Sequence, residues 1–155
     1  MVDEQVVEFG AHSKELIRQL GLVAPRRPEG EDLPFPADLS RCSDDEIGQL
    51  LTYWASMSAY ANQKVSILEG ALIRAKCEHD QEYDLRLYSC NKASVAERKI
   101  TVLASRKVRA LKVRVATIEA DLKVLKGILI GYDLKNSAVS REITRRNNER
   151  ALRDG

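Results

Sequence analysis

Between Leu111 and Ile143 the chain repeats one spacing: Leu111, Val115, Ile118, Leu122, Leu125, Leu129, Tyr132, Asn136, Val139 and Ile143 step alternately by four and three positions. This is the heptad spacing of a helix packed along its length. The pattern predicts a helix from Thr101 to Arg150. At 1.5 Å per residue, its roughly fifty residues would span about 75 Å, longer than a compact domain of this size is wide. An elongated helical hairpin, or a piece of an assembly, is the expectation.

Composition agrees with long amphipathic helices. Of 155 residues, 44% are hydrophobic, 31% are charged and 5% are aromatic, so small aliphatic side chains must do most of the packing. The expected fold class is all-α: a long antiparallel helical hairpin with a flexible N-terminal arm, assembling into an oligomer. Residues 1–93 carry 10 Lys/Arg against 16 Asp/Glu, whereas residues 94–155 carry 15 against 7. An acidic half followed by a basic half favours either a polyanion partner for the second half or contact between halves.

Cys42, Cys77 and Cys90 form no C-x-x-C pair, and an odd, scattered set points to a reducing compartment. The start, Met1-Val2-Asp3-Glu4, lacks a signal peptide's charge and apolar run, and no segment approaches the ~20 apolar residues of a membrane span. A soluble cytoplasmic protein without a membrane partner is expected.

Residues 1–40 read as one region and 41–155 as another. Residues 3–21 can form a short amphipathic helix carrying Val6, Val7, Leu16, Ile17 and Leu20, interrupted by Gly10. Gly21 to Leu39 holds all four prolines and reads as an extended linker. Ser43-Asp44-Asp45-Glu46 is a capping box, so a long helix starts there. Its seam, Ile47, Leu51, Trp54, Ser58, Ala61, Val65, Leu68, Leu72, Ala75 and His79, carries it to about Tyr88. The turn falls near Cys90-Asn91-Lys92-Ala93. A second capping box, Ser94-Val95-Ala96-Glu97, starts the return, as a helix from Val95 or from near Thr101.

Projected at 100° per residue, Val102, Val113, Val124 and Ile128 lie opposite the second helix's seam, with Thr117, Ala120 and Gly131. One hairpin partner cannot cover both sides. Gly127-x-x-x-Gly131 lets another backbone approach closely. Self-assembly through Val113, Ala120, Val124, Gly127, Ile128 and Gly131 is therefore expected, with Asn136 fixing register at a seam position. Arg98, Lys99, Arg106, Lys107, Arg109, Lys112 and Arg114 follow one another with no acid between Arg98 and Ile118. Such a run can track a phosphate backbone. Arg141, Arg145, Arg146, Arg150 and Arg153 can do the same, or complement the helix's negative end. Against this, the acidic run Glu78, Asp80, Glu82 and Asp84 lies level with Lys99 to Lys107 and can neutralise it within the hairpin. Tyr53, Tyr60, Tyr83 and Tyr88 can stack on unpaired bases where exposed.

Catalytic constellations are missing. Cys77 and His79 point in different directions on a helix, and His12 is the only other histidine. Gly127-x-x-x-Gly131 lacks the preceding strand of a phosphate loop. No enzyme, cofactor or metal is expected.

From Leu51 onward the chain resembles the UvsY-type recombination mediators of tailed phages. The similarity rests on Trp54 followed by a helix with Glu69, on Thr101-Val102-Leu103-Ala104-Ser105, on Leu111-Lys112-Val113 and on Gly127-Ile128-Leu129. The resemblance implies a helical protein that binds single-stranded DNA, displaces single-strand-binding protein and loads a RecA-like recombinase, acting as a ring in the host cytoplasm. It also implies a DNA contact in the first long helix, at Arg74-Ala75-Lys76, the nearest match to the family's Lys-Ala-Arg. The alternative is a structural or scaffolding coiled-coil oligomer, such as a phage assembly or adaptor protein.

Overall fold

The computed structural model describes residues 4–30, 32–91 and 94–154. Four α-helices are formed among them: α1 Glu4–Gln19, α2 Asp44–Ser89, α3 Val95–Ala104 and α4 Arg106–Asp154. The long α2 and α4 pack antiparallel, and the fold is all-α. Lys92 and Ala93 of the expected turn lie outside the described residues.

Local chemistry explains where the helices begin. At the start of α2, Glu46 Oε2 accepts from the Ser43 backbone N–H at 2.6 Å, while the Ser43 hydroxyl accepts from the Glu46 N–H at 3.3 Å. This reciprocal capping box holds the Glu46 carboxyl below its ordinary range, through the Ser43 backbone bond first. At the start of α3 the Ser94 hydroxyl is the N-cap, accepting from the Glu97 N–H at 3.2 Å.

The expected helix over 101–150 is broken. Ser105 leaves the helical region at φ −59°, ψ 131°, closing α3 through its N–H to the Val102 carbonyl. Its own carbonyl then accepts from the Arg109 N–H at 3.0 Å, so it opens α4. A projection carried through this break loses its phase. Val102, expected on the outward side, is only 3% exposed and belongs to the core.

The described chain divides into two compact units. In the unit formed by residues 1–21 and 65–124, the buried side chains are Val65, Ala71, Ala75, Val102, Val108, Ile118 and Leu122. Residues 4–19 are not a free arm here. Helix α1 lies against α2: the Phe9 ring occupies the space over Gly70, and Glu8 pairs with Arg74 at 3.6 Å. Gly70 is required by this approach, because a Cβ there would overlap the ring.

In the unit formed by residues 22–64 and 125–155, the core is Ile47, Leu50, Trp54, Met57 and Val139. Leu33, Phe35 and Leu39 from the proline-rich segment pack against it, as do Tyr132 and Ile143 from α4. The segment is extended, as its prolines require, yet anchored by its apolar residues. The Tyr53 hydroxyl also donates to Asp32 at 3.0 Å. Asn136 occupies its seam position half-buried, with Oδ1 buried and unpartnered.

Candidate functional site

The seam residues of α4 from Leu111 to Ile143 are all buried or half-buried, which turns the rest of its circumference outward. On that outward side Val113, Val124 and Ile128 are exposed, as are Ala120 and Gly127, while Gly131 is half-buried. A Cβ at Gly127 or Gly131 would meet nothing within 4 Å. Thus all six residues expected to mediate self-assembly lie on one helix, five of them exposed to solvent.

The basic residues separate into two sets. Four are engaged by carboxylates: Arg74 with Glu8, Lys76 with Glu119 at 2.7 Å, Lys107 with Glu82 at 2.7 Å and Arg114 with Glu78 at 3.4 Å. Glu82 also takes Arg86 at 2.5 Å, and these two cations, Lys107 first, hold its carboxyl below the ordinary range. The acidic run therefore neutralises part of the basic cluster. Its partners on α4 are Lys107, at the end of the expected Lys99 to Lys107 stretch, and Arg114 beyond it. Arg109 turns back to donate to the Leu103 carbonyl at 3.1 Å, satisfying an acceptor at the end of α3. Arg98 is half-buried.

The other set is free. Lys99, Arg106 and Lys112 are exposed, and none of them forms an ion pair among the described residues. Arg106 and Lys107 line an open concavity created by the break at Ser105, together with Arg86, Thr101, Ala104, Ser105 and Ala110. The side is positive, and the first N–H groups of α4 add the positive end of a helix dipole. Of the tyrosines, Tyr88 is 95% exposed, whereas Tyr53 is tied to Asp32 and Tyr83 stacks on His79. Arg74 and Lys76, on α2, do not line the concavity.

Three of the five C-terminal arginines, Arg145, Arg146 and Arg150, are held by carboxylates within the fold. Arg146 donates to the Cys42 carbonyl at 2.7 Å and the Leu39 carbonyl at 2.9 Å, and pairs with Asp44 and Glu142 at 2.8 Å each. Arg150 also pairs with Asp44. Arg145 and Arg146 together depress the Glu142 carboxyl to about 2. Arg146 and Arg150 thus fasten α4 to the start of α2, whereas Arg145 pairs within α4, with Glu142 at 2.7 Å and Glu149 at 2.5 Å. Sequence reasoning missed this, although Arg146 and Arg150 continue the four-three spacing beyond Ile143, which puts them on the packed seam.

Among the described residues no group of three or more His, Cys, Asp or Glu is placed to hold a metal ion, and no helix is long and apolar enough to cross a membrane. Comparison with protein families, curated proteins and solved structures gives no match.

Proposed function

We propose that this protein is a non-enzymatic single-stranded-DNA-binding oligomer of the recombination-mediator type. The observation that carries the reading is the set of free cations Lys99, Arg106 and Lys112 on α3 and α4, with the open basic concavity at Ser105. Tyr88, two residues beyond Arg86, offers an exposed ring for base stacking. On this reading the strand is held through phosphates, without sequence selection, and presented to a RecA-like recombinase after displacement of single-strand-binding protein. Weak contacts on each copy add up through the oligomer. Arg74 and Lys76 keep their intramolecular partners, and the strand runs along α3 and α4.

Anisotropy of labelled oligo-dT against salt tests this. Three phosphate contacts from one chain give a log–log slope of about −2 for a single strand, a fall of roughly 20-fold between 50 and 200 mM salt, and a strand held by several copies falls more steeply. Arg106→Glu with Lys112→Glu removes most of that binding. Absence of binding at low salt contradicts the proposal and leaves a scaffolding oligomer as the reading.

A further inference from the structure

Helix α4 carries a second seam. Thr117, Ala120, Val124, Gly127, Gly131, Leu134 and Ala138 keep the same three-four spacing on the side opposite Ile118, Leu122, Leu125 and Leu129. The first seam is packed in the hairpin, whereas five of the seven second-seam residues are exposed and Gly131 and Ala138 are half-buried. Val124 is 66% exposed and Leu134 60%, and both glycines face open space. Ile128 and Ile130 flank the glycines, and both are exposed as well. Two glycines in the middle of a long helix disfavour it locally, and they allow two backbones to come close.

We propose that α4 pairs with α4 of a second copy of this chain, antiparallel, about a two-fold axis at Leu129. The proposal deepens the self-association part of the reading above and rests on it. Reversing the helix about Leu129 sets Gly127 opposite Gly131 of the other copy, Val124 opposite Leu134 and Ala120 opposite Ala138. Ile128 and Ile130 then meet their own counterparts, large side chains flanking the close glycine contact. Charge selects this direction. Asp121 is exposed and without an ion pair among the described residues. In the antiparallel register it faces Lys135, which lies over the Trp54 ring at 3.8 Å and pairs with no carboxylate there. An in-register parallel pair would instead set Asp121 beside Ala116 and Lys123 beside Ile128, leaving both charges unmatched against apolar groups. The contact is isologous and closes at two copies, so a dimer is the unit of any larger assembly.

Cross-linking in a background with Cys42, Cys77 and Cys90 replaced by serine reads the register directly. With a short bismaleimide, Ile128→Cys should cross-link to itself and Val113→Cys should not. Val124→Cys should cross-link only when mixed with Leu134→Cys. Self-cross-linking of Val113→Cys as strong as that of Ile128→Cys would establish a parallel pair and overturn the proposal, as would a monomer at tens of micromolar. Asp121→Lys should weaken pairing about tenfold, and adding Lys135→Asp should restore it; no effect of either change contradicts the register. Gly127→Leu with Gly131→Leu should give a helical monomer, with helicity checked by circular dichroism. That monomer should still bind oligo-dT, more weakly. Loss of DNA binding with pairing intact would sink the DNA reading instead.

Discussion

The contact between Phe9 and Gly70 decides whether the first twenty residues belong to the fold, and a double-mutant cycle measures it. Alanine in place of a helix-interior glycine is worth about 1 kcal/mol when nothing obstructs it. At Gly70 something does: the new Cβ would overlap Cζ and Cε1 of the Phe9 ring. Overpacking of this kind costs about 1–3 kcal/mol, so Gly70→Ala alone should be neutral or destabilise by up to about 2 kcal/mol. Once Phe9→Ala has removed the ring, the same change should stabilise by about 1 kcal/mol. The coupling between the two positions is then about 1–3 kcal/mol. Urea unfolding followed by circular dichroism measures all four corners of the cycle, and a thermal shift of about 2–4 °C per kcal/mol gives an independent reading. Equal effects of Gly70→Ala in both backgrounds would refute the packing of α1 on α2.

Two further outcomes follow from the core and the ion pairs. Ile118 is 1% exposed, so Ile118→Ala should cost about 2–5 kcal/mol, whereas Val113→Ala on the outward face should leave the unfolding free energy of the isolated chain nearly unchanged. Glu142, Asp44 and Glu82 all have carboxyls held below their ordinary range, by Arg145, Arg146 and Lys107 respectively as the leading partners. A carboxyl depressed in the folded state contributes stability above its unfolded pKa of about 4, lost as pH falls through the folded value. The thermal midpoint should therefore be level from about pH 8 to 5 and fall between about pH 4 and 2, and Glu142→Gln should flatten that fall.

Much of the architecture is legible in the residues, for physical reasons that also explain the gaps. The seam of α4 is readable because one period runs unbroken through apolar residues. The capping boxes at Ser43 and Ser94 are readable because their chemistry is local. Leu50 and Met57 are buried although a strict two-per-heptad seam omits them, since a helix covered by both a partner helix and an extended segment buries a wider stripe; Ala71 is buried next to Gly70, where α1 packs. The break at Ser105 is marked by neither glycine nor proline, and the misplaced phase of Val102 follows from it. Charge was the least legible quantity. Arg114, Lys107 and Arg146 look alike in sequence to Arg106 and Lys112, and only the fold separates cations held by Glu78, Glu82 and Asp44 from those left free.

Native mass spectrometry with and without oligo-dT tests the central proposal most directly. The account predicts an even multiple of the 17.4 kDa chain that takes up the strand and releases it as salt rises. A 17.4 kDa monomer that ignores the oligonucleotide would contradict it.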